Sequence, residues 1–236
     1  MVKYLKKSFE LFVWVVLPLT TYFFGQLIAG LSMAALTGVL PDRVVHEFTY
    51  MFIAYTAMTV AVVFGVWVLV RKRDKARELL GFAKKVRDYL GSVPSIIWWT
   101  LSYFAIMMAV SLFFTLLFPE MMSGEQYLGV PRTGNSWWQM ALIFVSFVIL
   151  PPVAEEIAFR GAMFGGLRKR LPFWVSTIIV SVLFALVHSP INVMVDVFIL
   201  SIFLCSAREK TGAIWAPMTI HLLKNLVGFL AVFVFV

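Results

Sequence analysis

Long, predominantly apolar runs recur from one end of the chain to the other, and no other feature limits its folding as strongly. A helix needs roughly 20 such residues to cross the hydrocarbon core of a bilayer. The expected spans are Leu11 to Leu36, Phe48 to Val70, Pro94 to Phe118, Trp137 to about Leu167, Pro172 to His188, Ile191 to Cys205, and Ala213 to Val236. The fifth and sixth are short and separated only by Ser189 and Pro190. Backbone polar groups in lipid must be satisfied within the segment, so these runs predict helices. The expected fold class is all-α, a polytopic membrane helix bundle with about seven transmembrane helices. Composition excludes the soluble alternative: 61% of residues are hydrophobic and 14% charged, against about 45–50% and about 25% in soluble domains.

The net charge of +8 would suit a nucleic-acid binder only if the charges formed a face. They lie instead in short clusters between apolar runs: Lys3 to Lys7, Arg71 to Arg87, Arg168 to Arg170, and Arg208 with Lys210. That pattern predicts membrane orientation and contact with membrane lipids, and no nucleic-acid partner. The clusters alternate with the neutral or slightly acidic loops Pro41 to Glu47 and Pro119 to Ser136, giving an expected cytoplasmic N-terminus. The first apolar run exceeds the 7–15 residues of a signal-peptide core, so a retained span is expected there. Leu79, Leu80, Phe82, Val86, Tyr89 and Leu90 among the bases of Arg71 to Gly91 predict an amphipathic helix on the membrane surface. A single cysteine, Cys205, rules out an internal disulfide.

Ionisable residues inside apolar spans are costly and usually face the protein interior. Here they are Glu155, Glu156, Arg160, His188, Asp196, His221 and Lys224, with Asn225 beside them. Pro151-Pro152 predicts a break or kink in the fourth span, with Glu155 and Glu156 in the first turn of the helix that follows. Glu156 and Arg160 are four apart and can pair, as are Phe184 and His188, and His221 and Asn225. Counted from the basic clusters at 1.5 Å per residue, Glu155, His188 and His221 lie at depths of about 20, 27 and 17 Å, which overlap within helix tilt. The set suits addition of water to an amide: a carboxylate or imidazole takes the proton, and an Asn amide with a His N–H holds the oxyanion. Interfacial placement of His188, interhelical hydrogen bonding by His221 and Asn225, and an Asp196–Lys224 pair are the structural alternatives.

Glu155-Glu156-Ile-Ala-Phe-Arg160 resembles the EExxxR motif of the CAAX-protease and bacteriocin-processing membrane family, also called Abi. Phe184-Ala-Leu-Val-His188 resembles its FxxxH motif, and His221-Leu-Leu-Lys-Asn225 its HxxxN motif, in family order on separate spans. The resemblance implies one membrane domain over 1–236, with variable N-terminal spans (1–136) and a catalytic core (137–236). It implies an intramembrane endopeptidase, similar to the Ras-converting CAAX endoprotease, in a prokaryotic plasma membrane. The implied partner is a peptide or lipidated-protein substrate, such as a CAAX protein or a bacteriocin or signalling-peptide precursor. Glu155 and His188 would activate water, His221 and Asn225 would form the oxyanion site, and Glu156, Arg160 and Phe184 would be structural. No cofactor is expected in that scheme. Because members have also been described as metalloproteases, a zinc version would use Glu155, His188 and His221, although the chain lacks HExxH. A proton-coupled transporter and a non-catalytic scaffold or immunity protein are the alternatives of other classes. The first lacks its inverted repeat.

Overall fold

The structure, a computed structural model, describes residues 2–39, 45–72, 75–82, 93–122, 130–188 and 190–235. Among these there is no strand. The helices are α1 (Val2–Val39), α2 (Val45–Val70), α3 (Ala76–Leu80), α4 (Val93–Leu117), α5 (Pro119–Met122), α6 (Trp137–Phe144), α7 (Leu150–Glu155), α8 (Gly165–Leu167), α9 (Phe173–Leu186), α10 (Ile191–Thr211) and α11 (Trp215–Phe233). Wider π-helical segments, Val145–Ile149 and Glu156–Phe164, join α6 to α7 and α7 to α8. Six helical stretches are long and apolar enough to cross a membrane, including Trp137–Leu167 taken as one rod of 31 residues. The chain is an all-α, multi-pass integral membrane protein.

The predicted spans need three corrections. The fifth is a helix of 14 residues that ends at Leu186; at 1.5 Å per residue it covers about 21 Å, short of the roughly 30 Å hydrocarbon core. The sixth is longer than expected, because α10 runs on to Thr211 and carries Arg208 and Lys210 in its last turn. Cations are favoured at that end of the helix dipole, and Gly212 stops the helix in the left-handed conformation. The third concerns Pro151-Pro152. The helix changes there from a π turn to a fresh α segment, and the prolines occupy the opening positions of α7. Glu155 is therefore the last residue of α7 and not in its first turn, and Glu156 opens the next π segment. Of the amphipathic helix expected across Arg71 to Gly91, Ala76–Leu80 is helical; residues 83–91 lie outside the described residues.

The chain divides into two compact units. The first comprises Met1–Ala76, Gly129–Ala158 and Leu222–Val236. Small residues let α1 and α2 approach: Gly25 packs on Met58 and Val62, and Gly65 on Thr21. Phe48, Met51 and Ile143 form its buried core, with Tyr55, Trp138, Phe147, Phe229 and Phe233 packed around them.

The second unit comprises Arg77–Leu128 and Phe159–His221. Its core gathers Ile96, Tyr103, Leu200, Leu204, Ala207, Ala216 and Ile220 from α4, α10 and α11. Asp196 accepts a short hydrogen bond from the buried Tyr103 hydroxyl, which satisfies a carboxylate inside a span. At one edge Arg168 grips Glu209 through two hydrogen bonds of 2.7 and 2.9 Å, which raise the Arg168 guanidinium above its ordinary value. Lys210 lies 5.0 Å from the centre of the Trp99 ring.

Candidate active site

The predicted residues fall in both units. In the first, Glu155 is buried and Tyr22 of α1, only 3% exposed, donates its hydroxyl hydrogen to Glu155 Oε1 at 3.2 Å. Gln26, one turn along, donates Nε2–H to the Tyr22 oxygen at 3.2 Å. Neither Tyr22 nor Gln26 is conspicuous in the sequence, because neither carries a charge at neutral pH. Their signal was a pair of polar side chains four apart in an otherwise apolar run.

Asn225 has a partner that its motif did not suggest. Its Nδ2 donates to the Phe147 carbonyl at 2.9 Å. In an α ladder that carbonyl would take the N–H of residue 151, and in a π ladder that of residue 152; both are proline, which has no N–H. The N–H of Leu150 is directed to Val145. Asn225 thus fills a vacancy that the two prolines create. The Leu150 carbonyl, at the start of α7, accepts a further side-chain hydrogen bond from Thr59 Oγ1 of α2 at 3.2 Å. Within a membrane such substitutes are what allow proline inside a span.

In the second unit one ring organises the site. Phe184, fully buried, lies with its centroid 4.7 Å from that of His188 and 6.0 Å from that of His221. The Arg160 guanidinium, also fully buried, stands 4.3 Å above the same ring. The attraction of a cation for the ring face is enhanced where water is absent. Phe159 closes the cluster edge-on at 5.0 Å. The FxxxH spacing therefore puts Phe184 beneath His188 as expected, and packing adds Arg160 and His221 to it.

His188 lies just past the end of α9, in a turn closed by its own N–H to the Ala185 carbonyl at 2.9 Å. Its Nδ1 is 2.7 Å from the Phe184 carbonyl. A carbonyl only accepts, so Nδ1 carries the hydrogen and Nε2 holds the lone pair of the neutral ring. That tautomer suits a nitrogen that must take a proton or bind a cation. Glu156 is fully buried, and it opens a π segment, a geometry frequent at functional sites. Within neither unit do three His, Cys, Asp or Glu side chains among the described residues group closely enough to hold a metal.

The sequence model of the Type II CAAX prenyl endopeptidase Rce1-like family matches residues 136–227, the stretch that carries all three motifs. Over that stretch the chain is similar to the CAAX-protease family. A Bacillus subtilis (strain 168) protein named "Putative membrane peptidase YdiL" is 28% identical over 131 residues, 51% of this chain and 54% of that protein. The membrane-embedded CAAX protease MroQ of Staphylococcus aureus (strain USA300) is 28% identical over 145 residues, 58% of each. The chain spans about half the length of the curated relatives it matches. No solved structure matches it.

Proposed function

We propose that the protein is an intramembrane endopeptidase that hydrolyses a peptide bond with water activated by Glu155 and His188. The observation that carries this reading is the tautomer of His188. The backbone fixes its Nδ1 hydrogen, so Nε2 is the basic atom, on a ring seated against Phe184 together with His221. In this reading Glu155 or His188 takes a proton from water, and the hydroxide adds to the scissile carbonyl carbon. His221 and the second Nδ2 hydrogen of Asn225 donate to the oxyanion. The proton then passes to the departing amine as the C–N bond breaks. Glu156 and Arg160 are the structural pair.

A substrate bearing a lipid chain, or one that lies partly in the bilayer, is supported by an open groove of about 450 Å³ in the second unit. Its walls are apolar, from Val110 and Phe114 of α4, Val182, Ala185 and Leu186 of α9, and Met194 and Phe198 of α10. Leu186 and Ile191, which line it, bracket His188 in sequence. Relatives from bacteria support a prokaryotic plasma membrane as its location.

A zinc version of the same hydrolysis is supported by one feature. A histidine whose other nitrogen bonds a backbone carbonyl is oriented as metal-ligating histidines usually are. Purified protein in lipid nanodiscs, offered a farnesylated CAAX-type peptide and a proteome-derived peptide library, tests both versions. Glu155→Gln and His188→Ala should each lower cleavage by orders of magnitude, to a small residual rate, without loss of fold. Unchanged cleavage in both variants would overturn the proposal. Full activity after exhaustive dialysis against a chelator, with no zinc by elemental analysis, supports the glutamate version; inactivation that zinc reverses replaces it with the metal one.

A further inference from the structure

We infer that Tyr22, held by Gln26, is a positioning residue for the Glu155 carboxylate, and that the N-terminal helix is therefore part of the catalytic apparatus. The inference rests on the hydrolytic reading above, and it concerns a helix outside the residues that match the family.

The direction of the hydrogen bonds is forced by chemistry. A carboxylate only accepts, so the single Tyr22 hydrogen goes to Glu155 Oε1. The Tyr22 oxygen is then left to accept, and Gln26 presents Nε2–H to it. With Glu155 ionised, as the proposed base must be, donation runs in a chain from Gln26 through Tyr22 to Glu155. Tyr22 and Gln26 are four residues apart, so one face of α1 carries both.

The contact of α1 with α2 is of a different kind. Gly25 packs against Met58 and Val62, and Gly65 against Thr21, close approaches that small residues allow. Adhesion between these helices thus has its own source, and a buried phenol aimed at a carboxylate adds something else. Fixing Oε1 sets the plane of the carboxylate, and so the direction from which its second oxygen meets a water. A hydrogen bond to a charged group contributes more than one between neutral groups. Its loss should be felt in the rate of proton removal and not in the capture of substrate.

The test uses full-length protein in nanodiscs and whichever of the farnesylated CAAX-type peptide and the peptide library is cut. Tyr22→Phe deletes one oxygen. It should lower kcat roughly ten- to a hundred-fold, with KM unchanged. Gln26→Leu should lower kcat by a smaller factor in the same direction, and it serves as the probe if Tyr22→Phe fails to fold. In a Glu155→Gln background, adding Tyr22→Phe should leave the residual rate unaltered, because the group it positions is gone. A helix-packing role alone would not produce that dependence. If wild type cleaves, Glu155→Gln keeps only a residual rate, and both Tyr22→Phe and Gln26→Leu keep the wild-type kcat, the positioning role is overturned and the hydrolytic reading stands. An equal fall of the residual rate in both backgrounds also overturns the role. If Glu155→Gln cleaves like wild type, or wild type cleaves neither probe, the hydrolytic reading fails first and this inference goes with it.

Discussion

Asn225 donates Nδ2–H to the Phe147 carbonyl at 2.9 Å, and it does so because Pro151 and Pro152 cannot. The arrangement gives Asn225 a structural duty besides its proposed role at the oxyanion. Asn225→Ala should lower activity about 100- to 1,000-fold, the usual cost of one oxyanion donor. It should also destabilise the fold by about 1–3 kcal/mol through the stranded carbonyl. Replacing both prolines by alanine returns backbone donors to that carbonyl. In that background the stability cost of Asn225→Ala should shrink while the activity cost persists. Thermal unfolding in detergent, set beside cleavage rates, reads the two separately. Equal stability costs in both backgrounds would show that the carbonyl has no need of Asn225.

The membrane spans were legible because bilayer thickness translates directly into run length, and α2, α4 and the rod from Trp137 begin or end within a few residues of their expected bounds. The motif residues were legible because polar groups in apolar runs are conspicuous. The state of the fourth span was not. Proline read locally predicts a break or kink, whereas the helix here widens into a π turn and takes hydrogen bonds from Thr59 and Asn225 of other helices. Those partners are distant in sequence and leave no local signal. Phe184 was legible as a neighbour of His188, but its contacts with Arg160 and His221 exist only through packing. Tyr22 was overlooked because a tyrosine in an apolar run reads as one more ring.

Phe184→Leu should keep much of the buried volume while removing the face on which Arg160 rests and the ring against both histidines. The lost cation–ring attraction, roughly 0.5–2 kcal/mol, should appear as a lower melting temperature. On the proposed mechanism activity should fall further than stability does, since the rings of His188 and His221 lose their seat. Arg160→Lys should also destabilise, because an ammonium is not planar and cannot lie flat on the ring. A lysine variant as stable as wild type would remove the guanidinium–ring contact from the account.

Gly81 has φ of +85°, and a Cβ there would stand 2.8 Å from the Arg208 guanidinium and from the Ile214 nitrogen. Its own carbonyl accepts the Ile214 N–H at 3.1 Å, and Arg208 reaches past it to the Leu79 carbonyl at 3.0 Å. Gly81→Ala should therefore cost about 1–3 kcal/mol, combining backbone strain with displacement of Arg208. Arg208→Ala combined with it removes the side-chain clash but neither the strain nor the contact with the Ile214 nitrogen, so most of the loss should remain. A melting curve unchanged by Gly81→Ala would refute the tight turn.

The basic clusters predict an orientation, and Cys205 makes it simple to test. It is the one cysteine of the chain and it is buried, so a Cys205→Ser background should be unreactive to maleimides. Glu78 and Thr133 are both exposed. Glu78 belongs to the basic stretch that follows α2, and Thr133 to the loop that precedes the rod at Trp137. Positive loops stay in the cytoplasm, because moving lysine and arginine across the membrane is unfavourable. Thr133→Cys should then react with a membrane-impermeant maleimide on intact protoplasts, and Glu78→Cys only after they are opened. The opposite pattern would invert the topology, and with it the side from which Lys3 to Lys7 and Arg168 to Arg170 face anionic lipid. Labelling of both sites from outside would mean that the α4 span does not cross at all.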